Sequence, residues 1–139
     1  MPEGTTRPPA LQFTLLYEQL GFDQLGKPIF FGSFNNIQAT LGFPFNALLL
    51  VSNQWTNGFG HHRQRTRITS PTEQVLVESD DVEFFLKDSL SSQRVDHRLG
   101  VTFAEDGRHK ISVLLNDKVV LEYFFTVRVQ KARPTASQE

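Results

Sequence analysis

Cysteine is absent from this 139-residue sequence. That excludes a disulfide framework, a thiol nucleophile and a thiolate metal site, and it fits a reducing, cytoplasmic setting. Long apolar runs are also missing. The longest, Ala47 to Val51, falls far short of the roughly 20 residues that span a bilayer. No charge of either sign dominates, since 14 basic residues face 15 acidic ones. No global pull toward nucleic acid or an anionic membrane follows, and neither partner is expected. The segment Met1 to Ala10 holds three prolines and no apolar run, so it does not read as a secretory leader. Two catalytic signatures are missing too: no Gly-x-Ser-x-Gly elbow and no Gly-x-x-x-x-Gly-Lys phosphate loop.

What the chain has is aromatic mass. Hydrophobic residues are 39% of the sequence, and 13 of them are Phe, more than a disordered chain carries. The length suits one domain. Residues 1–10 and 131–139 are polar or Pro-rich and read as disordered tails around a domain at 11–130. Inside it, strand signals dominate. Leu11 to Leu20 reads as a first strand with Leu11, Phe13, Leu15 and Tyr17 on one face. Asp23 to Pro28 is a turn, and Ile29 to Leu41 reads as a second strand. Gly42-Phe43-Pro44 breaks it. Ala47 to Trp55 begins as a continuous apolar run, as in a strand buried on both faces. His61 to Thr69 is a polar strand. Val82 to Leu90 fits a helical face and a strand face alike.

The last third alternates most clearly. Val95, His97, Leu99, Val101 and Phe103 lie on one face of a half-buried strand. Asn116-Asp117, between two alternating runs, is a hairpin turn, because both residues tolerate positive φ. These signals predict an all-β, two-layer antiparallel β-sandwich, immunoglobulin-like, with about eight or nine strands. Phe30-Phe31, Phe84-Phe85 and Phe124-Phe125 should put one ring on each face of a strand, so that both faces need a cover.

The order of several short pieces adds a resemblance. These are Gly26-Lys27 before an apolar strand, Phe31-Gly32-Ser33-Phe34 leading to Ile37, and Phe43-Pro44 before Leu48 to Val51. Ile68 to Pro71 at a turn, Phe103, Asp106-Gly107 and the ending Phe125-Thr126-Val127 follow. Taken in order, across residues 11–129, they resemble an uncharacterised family of bacterial β-sandwich domains of unknown function. The resemblance implies a fold and no activity. Asp106-Gly107-Arg108-His109 also resembles the tyrosine corner of immunoglobulin-type sandwiches, with His109 in the Tyr place.

Five residues are candidates for an interaction surface. Arg63, Arg65 and Arg67 recur at period two, so three guanidinium groups share one strand face. They suit phosphate or an acidic peptide, because Arg forks match such oxygens. The competing reading is internal pairing: Glu73 to Asp88 holds six acids that a turn at Pro71 could fold opposite them. Trp55 and Phe59, with Phe43 and Phe45, would make a sugar- or peptide-binding patch if exposed, or cap the core if buried. His61 and His62 are adjacent and should point to opposite faces, so they should not chelate together. The expectation is a non-catalytic interaction or accessory domain without cofactor or metal, pairing with itself as a homodimer or with another protein. The alternatives are a carbohydrate or small-ligand module and an enzyme on a sandwich scaffold. Exposure of Trp55 separates the carbohydrate module from the interaction domain.

Overall fold

The strand-forming composition produces strands throughout. The computed structural model describes residues 6–39 and 41–129, and among them there is no helix. Eleven strands follow in order: β1 (Ala10–Tyr17), β2 (Gln19–Phe22), β3 (Pro28–Phe31), β4 (Asn36–Ala39), β5 (Phe45–Thr56) and β6 (Gly60–Thr69). Then come β7 (Val75–Glu78), β8 (Val82–Leu86), β9 (Ser92–Phe103), β10 (Gly107–Leu115) and β11 (Lys118–Val129). This exceeds the expected eight or nine for identifiable reasons. The run Ile29 to Leu41 is cut in two at Gly32, whose φ of 69° turns the chain out of the strand. The segment after Tyr17 continues as β2 and pairs back onto β3. The ambiguous piece after Asp81 is a strand, β8, paired antiparallel to β6.

Three sheets result. β1-β5-β9 form one, and β4-β11-β10-β6-β7 form another, with β8 on the far half of β6. β2 and β3 make a separate hairpin. One buried cluster draws on both larger sheets: Leu49, Val51, Leu99, Val101 and Phe103 from the first, and Ile37, Ile68, Ile111, Phe125 and Val127 from the second. A satellite cluster gathers Trp55, Phe84, Leu86, Val95, Val113 and Leu115. The β10–β11 turn is as expected, with φ of 50° at Asn116 and 73° at Asp117. A bulge between Leu11 and Phe13 breaks the single face expected for β1. Leu11 packs on the Trp55 cluster, while Phe13 and Tyr17 meet Phe30 of the hairpin edge-on at 5.9 and 5.0 Å.

In two of the phenylalanine pairs one ring is buried, Phe84 and Phe125, while its neighbour, Phe85 or Phe124, stays exposed beside a polar side chain. Phe85 lies 4.7 Å from the His61 ring, and the Arg108 guanidinium sits 3.9 Å over Phe124. In the third pair, Phe30 turns to β1 and Phe31 lies against Gly21, where a Cβ would come within 2.7 Å of the ring.

The N-terminal segment, expected to be a tail through residue 10, makes contacts from Arg7 onward. Arg7 and Phe59 exchange both backbone hydrogen bonds at 2.9 Å, Pro9 is buried, and Ala10 opens β1. The expected C-terminal tail, 131–139, lies outside the described residues. Removing residues 1–9 should therefore cost stability, about 1–2 kcal/mol for two backbone bonds and one buried proline. Urea denaturation of the truncated chain would show this, and an unchanged midpoint would mean that the docking contributes nothing.

The feature that shapes the surface is a change of sheet halfway along one side. β1 runs beside β5 only from Thr56 to Leu50. The chain then leaves through the β2–β3 hairpin and returns as β4, parallel to β11 from Asn36↔Thr126 to Ala39↔Val129. Two half-edges therefore lack a strand partner among the described residues: β5 from Phe45 to Leu49, and β11 from Lys118 to Phe125.

Candidate functional site

The arginine ladder forms because β6 alternates. Arg63, Arg65 and Arg67 point one way, while His62, Gln64 and Thr66 point into the molecule and are buried. β7 pairs with β6 so that Arg67 opposes Glu78. Glu78 Oε2 then accepts from Arg65 Nε at 2.7 Å and Arg67 Nη2 at 3.0 Å. Asp81 accepts from Arg65 Nη1 at 3.0 Å and lies 3.6 Å from Arg63 Nε. The acids of residues 73–83 thus supply two carboxylates. The third, Asp117, comes from the β10–β11 turn, accepting from Arg65 Nη1 at 2.7 Å and from Arg63. Nothing local in the sequence flagged Asp117, which lies 52 positions from Arg65.

The electrostatics follow from this geometry. Hydrogen bonds from Arg65 and then Arg67 hold the Glu78 carboxyl below its usual range, against the opposing effect of burial. Arg65 and Arg63 do the same for Asp117. Three guanidinium groups facing three carboxylates form a closed network with no spare positive charge for a phosphate. Replacing all three arginines with Gln should cost about 1–3 kcal/mol, at roughly 0.2–1 kcal/mol for each arginine, since the pairs share their carboxylates. The loss should shrink in high salt. Urea titrations of both proteins at two ionic strengths check it, and an equally stable triple variant would contradict the pairing.

The aromatic candidates lie in the interior. Trp55 has 0% exposure and stacks on Phe84 at 5.9 Å and 21°. Phe59, half-buried, belongs to the bridge with Arg7. Phe43 and Phe45 pack against the main core. These rings close the ends of the core and offer no open aromatic face, so the observation chosen to favour a carbohydrate module goes against it.

The histidines are dispersed. His62 takes Phe59 carbonyl and Asn116 as neighbours at 3.0 and 3.1 Å. His97 is buried between the sheets, where the Gln64 amide donates to its Nε2 at 2.6 Å. The Gln64 carbonyl in turn accepts from Asn53 at 2.9 Å. His97 therefore carries its proton on Nδ1. His109 Nδ1 donates to the Gly107 carbonyl at 3.2 Å, and its ring lies between Phe103 and Phe125. Burial pushes both His97 and His109 below the ordinary histidine value. Among the described residues no group of three or more His, Asp or Glu is placed to hold a metal.

Sequence reasoning missed two places. On the outward face of the β1-β5-β9 sheet, Tyr17 and Ser52 hydroxyls meet at 2.6 Å, and Ser52 donates to Asp96 at 2.5 Å. Arg94 donates to Asp96 at 3.0 Å and lies over Phe30. This chain pins the hairpin and the sheet together. The second place is a cleft of about 550 Å³ along the open half of β5, between β5 and β4. Neither has a local signature, because each depends on where β1 ends beside β5 and on how the hairpin and β4 then pack.

Strands alone, a core shared by two sheets and an internally neutralised charged face define an all-β domain, in which the change of sheet leaves half of β5 and half of β11 open on one side among the described residues. The chain belongs to a family of unknown function, DUF6941, which matches residues 12–128. No curated protein matches it. Among solved structures it is similar to a β-glucosidase from Listeria innocua in complex with glucose, at 11% identity and a TM-score of 0.48. It is also similar to β-glucosidase 3B from Thermotoga neapolitana in complex with α-D-glucose, at 13% and 0.46. An alkylpurine DNA glycosylase from Pseudomonas fluorescens, bound to DNA containing an abasic site analogue, gives 14% and 0.42. The likenesses cover 88%, 88% and 84% of this chain but only 17%, 17% and 30% of those proteins. Likenesses this distant define neither a shared activity nor a shared ligand. Among the described residues, no helix is long and apolar enough to cross a membrane.

Proposed function

We propose that the chain is a non-catalytic, cytoplasmic interaction domain that docks protein by strand pairing, with a second copy of itself as the first partner. The strand order β1-β5-β9 against β4-β11-β10-β6-β7, with a core shared between them, supports an immunoglobulin-like two-layer sandwich as its scaffold. One observation carries the functional reading: the open half of β11. Thr126 N–H donates to Asn35, on the side away from β10. By strand alternation, Phe124 and Glu122 turn their N–H and C=O groups to the same side, where β4 no longer reaches. Val119, Val120, Leu121 and Phe124 are exposed along this stretch. An apolar strand with unpaired backbone groups is a template for another strand, and the same edge on two copies makes an isologous pair.

Sedimentation velocity from micromolar to near-millimolar protein tests this. The expected result is an average mass that rises toward a dimer and returns to that of a monomer in the Val120→Lys variant. A mass that stays monomeric throughout, or a dimer indifferent to the substitution, contradicts the reading.

A further inference from the structure

The second open edge differs from the first in having a cleft behind it. We infer that the unpaired half of β5 receives an extended peptide segment of a partner protein, one that carries apolar residues in alternation and a Lys or Arg at one end. This goes beyond self-association through β11 and uses the opposite half of the same side.

The backbone comes first. Leu16 C=O accepts from Phe34, and Glu18 N–H donates to Phe31, so both residues face away from β5. Tyr17, between them, therefore faces β5 and opposes Leu50. Alternation turns the N–H and C=O groups of Leu48 and Asn46 to the side where β1 has ended. β9 occupies the other side of β5 along this whole stretch. Two donors and two acceptors thus stand in strand register with no described strand to meet them.

The walls come second. The cleft of about 550 Å³ is bounded by Phe34 and Ile37 on one side and by Phe45, Ala47 and Leu49 on the other. These residues belong to the main core or pack against it. A strand laid beside Leu48 and Asn46 would send alternate side chains into this space and the others outward, next to Leu48, which is 57% exposed. An apolar residue is the side chain that such walls favour at the inward position.

Charge comes third and sets the occupant. Glu18 is the one charged residue lining the cleft, and it makes no ion pair with a described residue. It sits at the Tyr17 end, beside the position where an added strand would continue the line of β1. A Lys or Arg at that end of the guest would complement it, and an acidic residue there would be repelled.

The test uses the full chain and a phage-displayed library of random seven-residue segments. Selected segments, made as blocked synthetic peptides, are titrated into labelled protein and followed by amide NMR. The expected sequences alternate apolar residues and place Lys or Arg at one end. The shifts should centre on Asn46 to Leu49. Binding should fall at least tenfold when the peptide is N-methylated at alternate residues. It should fall likewise in Leu48→Pro, which removes an edge N–H without touching the β9 ladder. If Leu48→Pro does not fold, the N-methyl peptide carries the same question on the unmodified protein. Glu18→Gln should remove the preference for a cation. Selected peptides that shift only residues 118–125, or a library from which nothing is enriched, would overturn the inference. Concentration-dependent shifts at Asn46 to Leu49 without peptide would also overturn it, because the occupant would then be a second copy. A dimer lost in Val120→Lys is read separately, so failure here leaves the β11 reading standing.

Discussion

Replacing Trp55 with Ala is expected to remove about 3–5 kcal/mol of stability, the usual cost of deleting a large aromatic from a packed interior. The side chain is fully buried, stacked on Phe84, and shares its cluster with Leu86, Val95, Val113 and Leu115. These residues come from β5, β8, β9 and β10, so the indole joins both larger sheets. Its Nε1 has no hydrogen-bond partner among the described residues, so truncation leaves no polar group stranded. Trp55→Phe should recover more than half of the loss, since most of the contact area returns. Urea denaturation measures both. A Trp55→Ala variant within about 0.5 kcal/mol of the parent would mean that the ring is peripheral, which would reopen the carbohydrate reading.

Mild acid is expected to destabilise the fold well before its carboxylates titrate. Burial holds His97 and His109 below the ordinary value of 6.5 in the folded state. The unfolded chain therefore takes up those two protons first. Stability is complete above about pH 6.5 and falls as pH drops from there through the lowered folded values. Two protons set a limiting slope of about 2.7 kcal/mol per pH unit. Asp96 beside His97, and the Gly107 carbonyl and then Glu105 beside His109, act in the opposite direction and moderate it. Protonated His97 would also point Nε2–H at the Gln64 amide, so the Asn53–Gln64–His97 chain would have to reorient. A separate loss belongs to lower pH, where Glu78 and Asp117, both held below their usual values by arginines, finally protonate. Unfolding free energies between about pH 7 and pH 5 should fall steeply for the parent and less steeply for His109→Phe. A flat profile would show that neither imidazole stays neutral by burial.

The degree to which the fold was legible varies by strand, for physical reasons. β9 was legible because it alternates one buried apolar face with one wet face, and the β10–β11 hairpin because Asn116-Asp117 supplies the turn conformation that it needs. β6 was legible as a strand, but its inward residues His62, Gln64 and Thr66 are polar. The alternation therefore showed charge against polarity and concealed a buried network with Asn53 and His97. The ladder's acidic partners were half visible. Glu78 and Asp81 follow across a turn, whereas Asp117 is brought in by a hairpin from the next part of the chain. The change of sheet between β1 and β4 left no trace in periodicity. Leu11 to Leu41 reads as apolar strand on both sides of a turn, and nothing in that pattern marks Tyr17 as the last residue beside β5 or Glu18 as bonded to Phe31 of the hairpin instead. Both open half-edges arise from that switch, whereas the residues singled out from sequence lie elsewhere: the arginines are paired with carboxylates and Trp55 is buried. A strand edge binds through its backbone, and backbone groups carry no sequence signature.

The central claim is that two half-edges stand open in the free monomer. Amide hydrogen exchange on dilute protein tests it most directly, residue by residue. The account predicts fast exchange at Asn46, Leu48, Glu122 and Phe124, whose N–H groups face outward. It predicts slow exchange at Ala47, Leu49, Leu121 and Tyr123, whose N–H groups are bonded to β9 and β10. Uniform protection along Phe45 to Leu49 and Lys118 to Phe125 in a protein shown to be monomeric would contradict it.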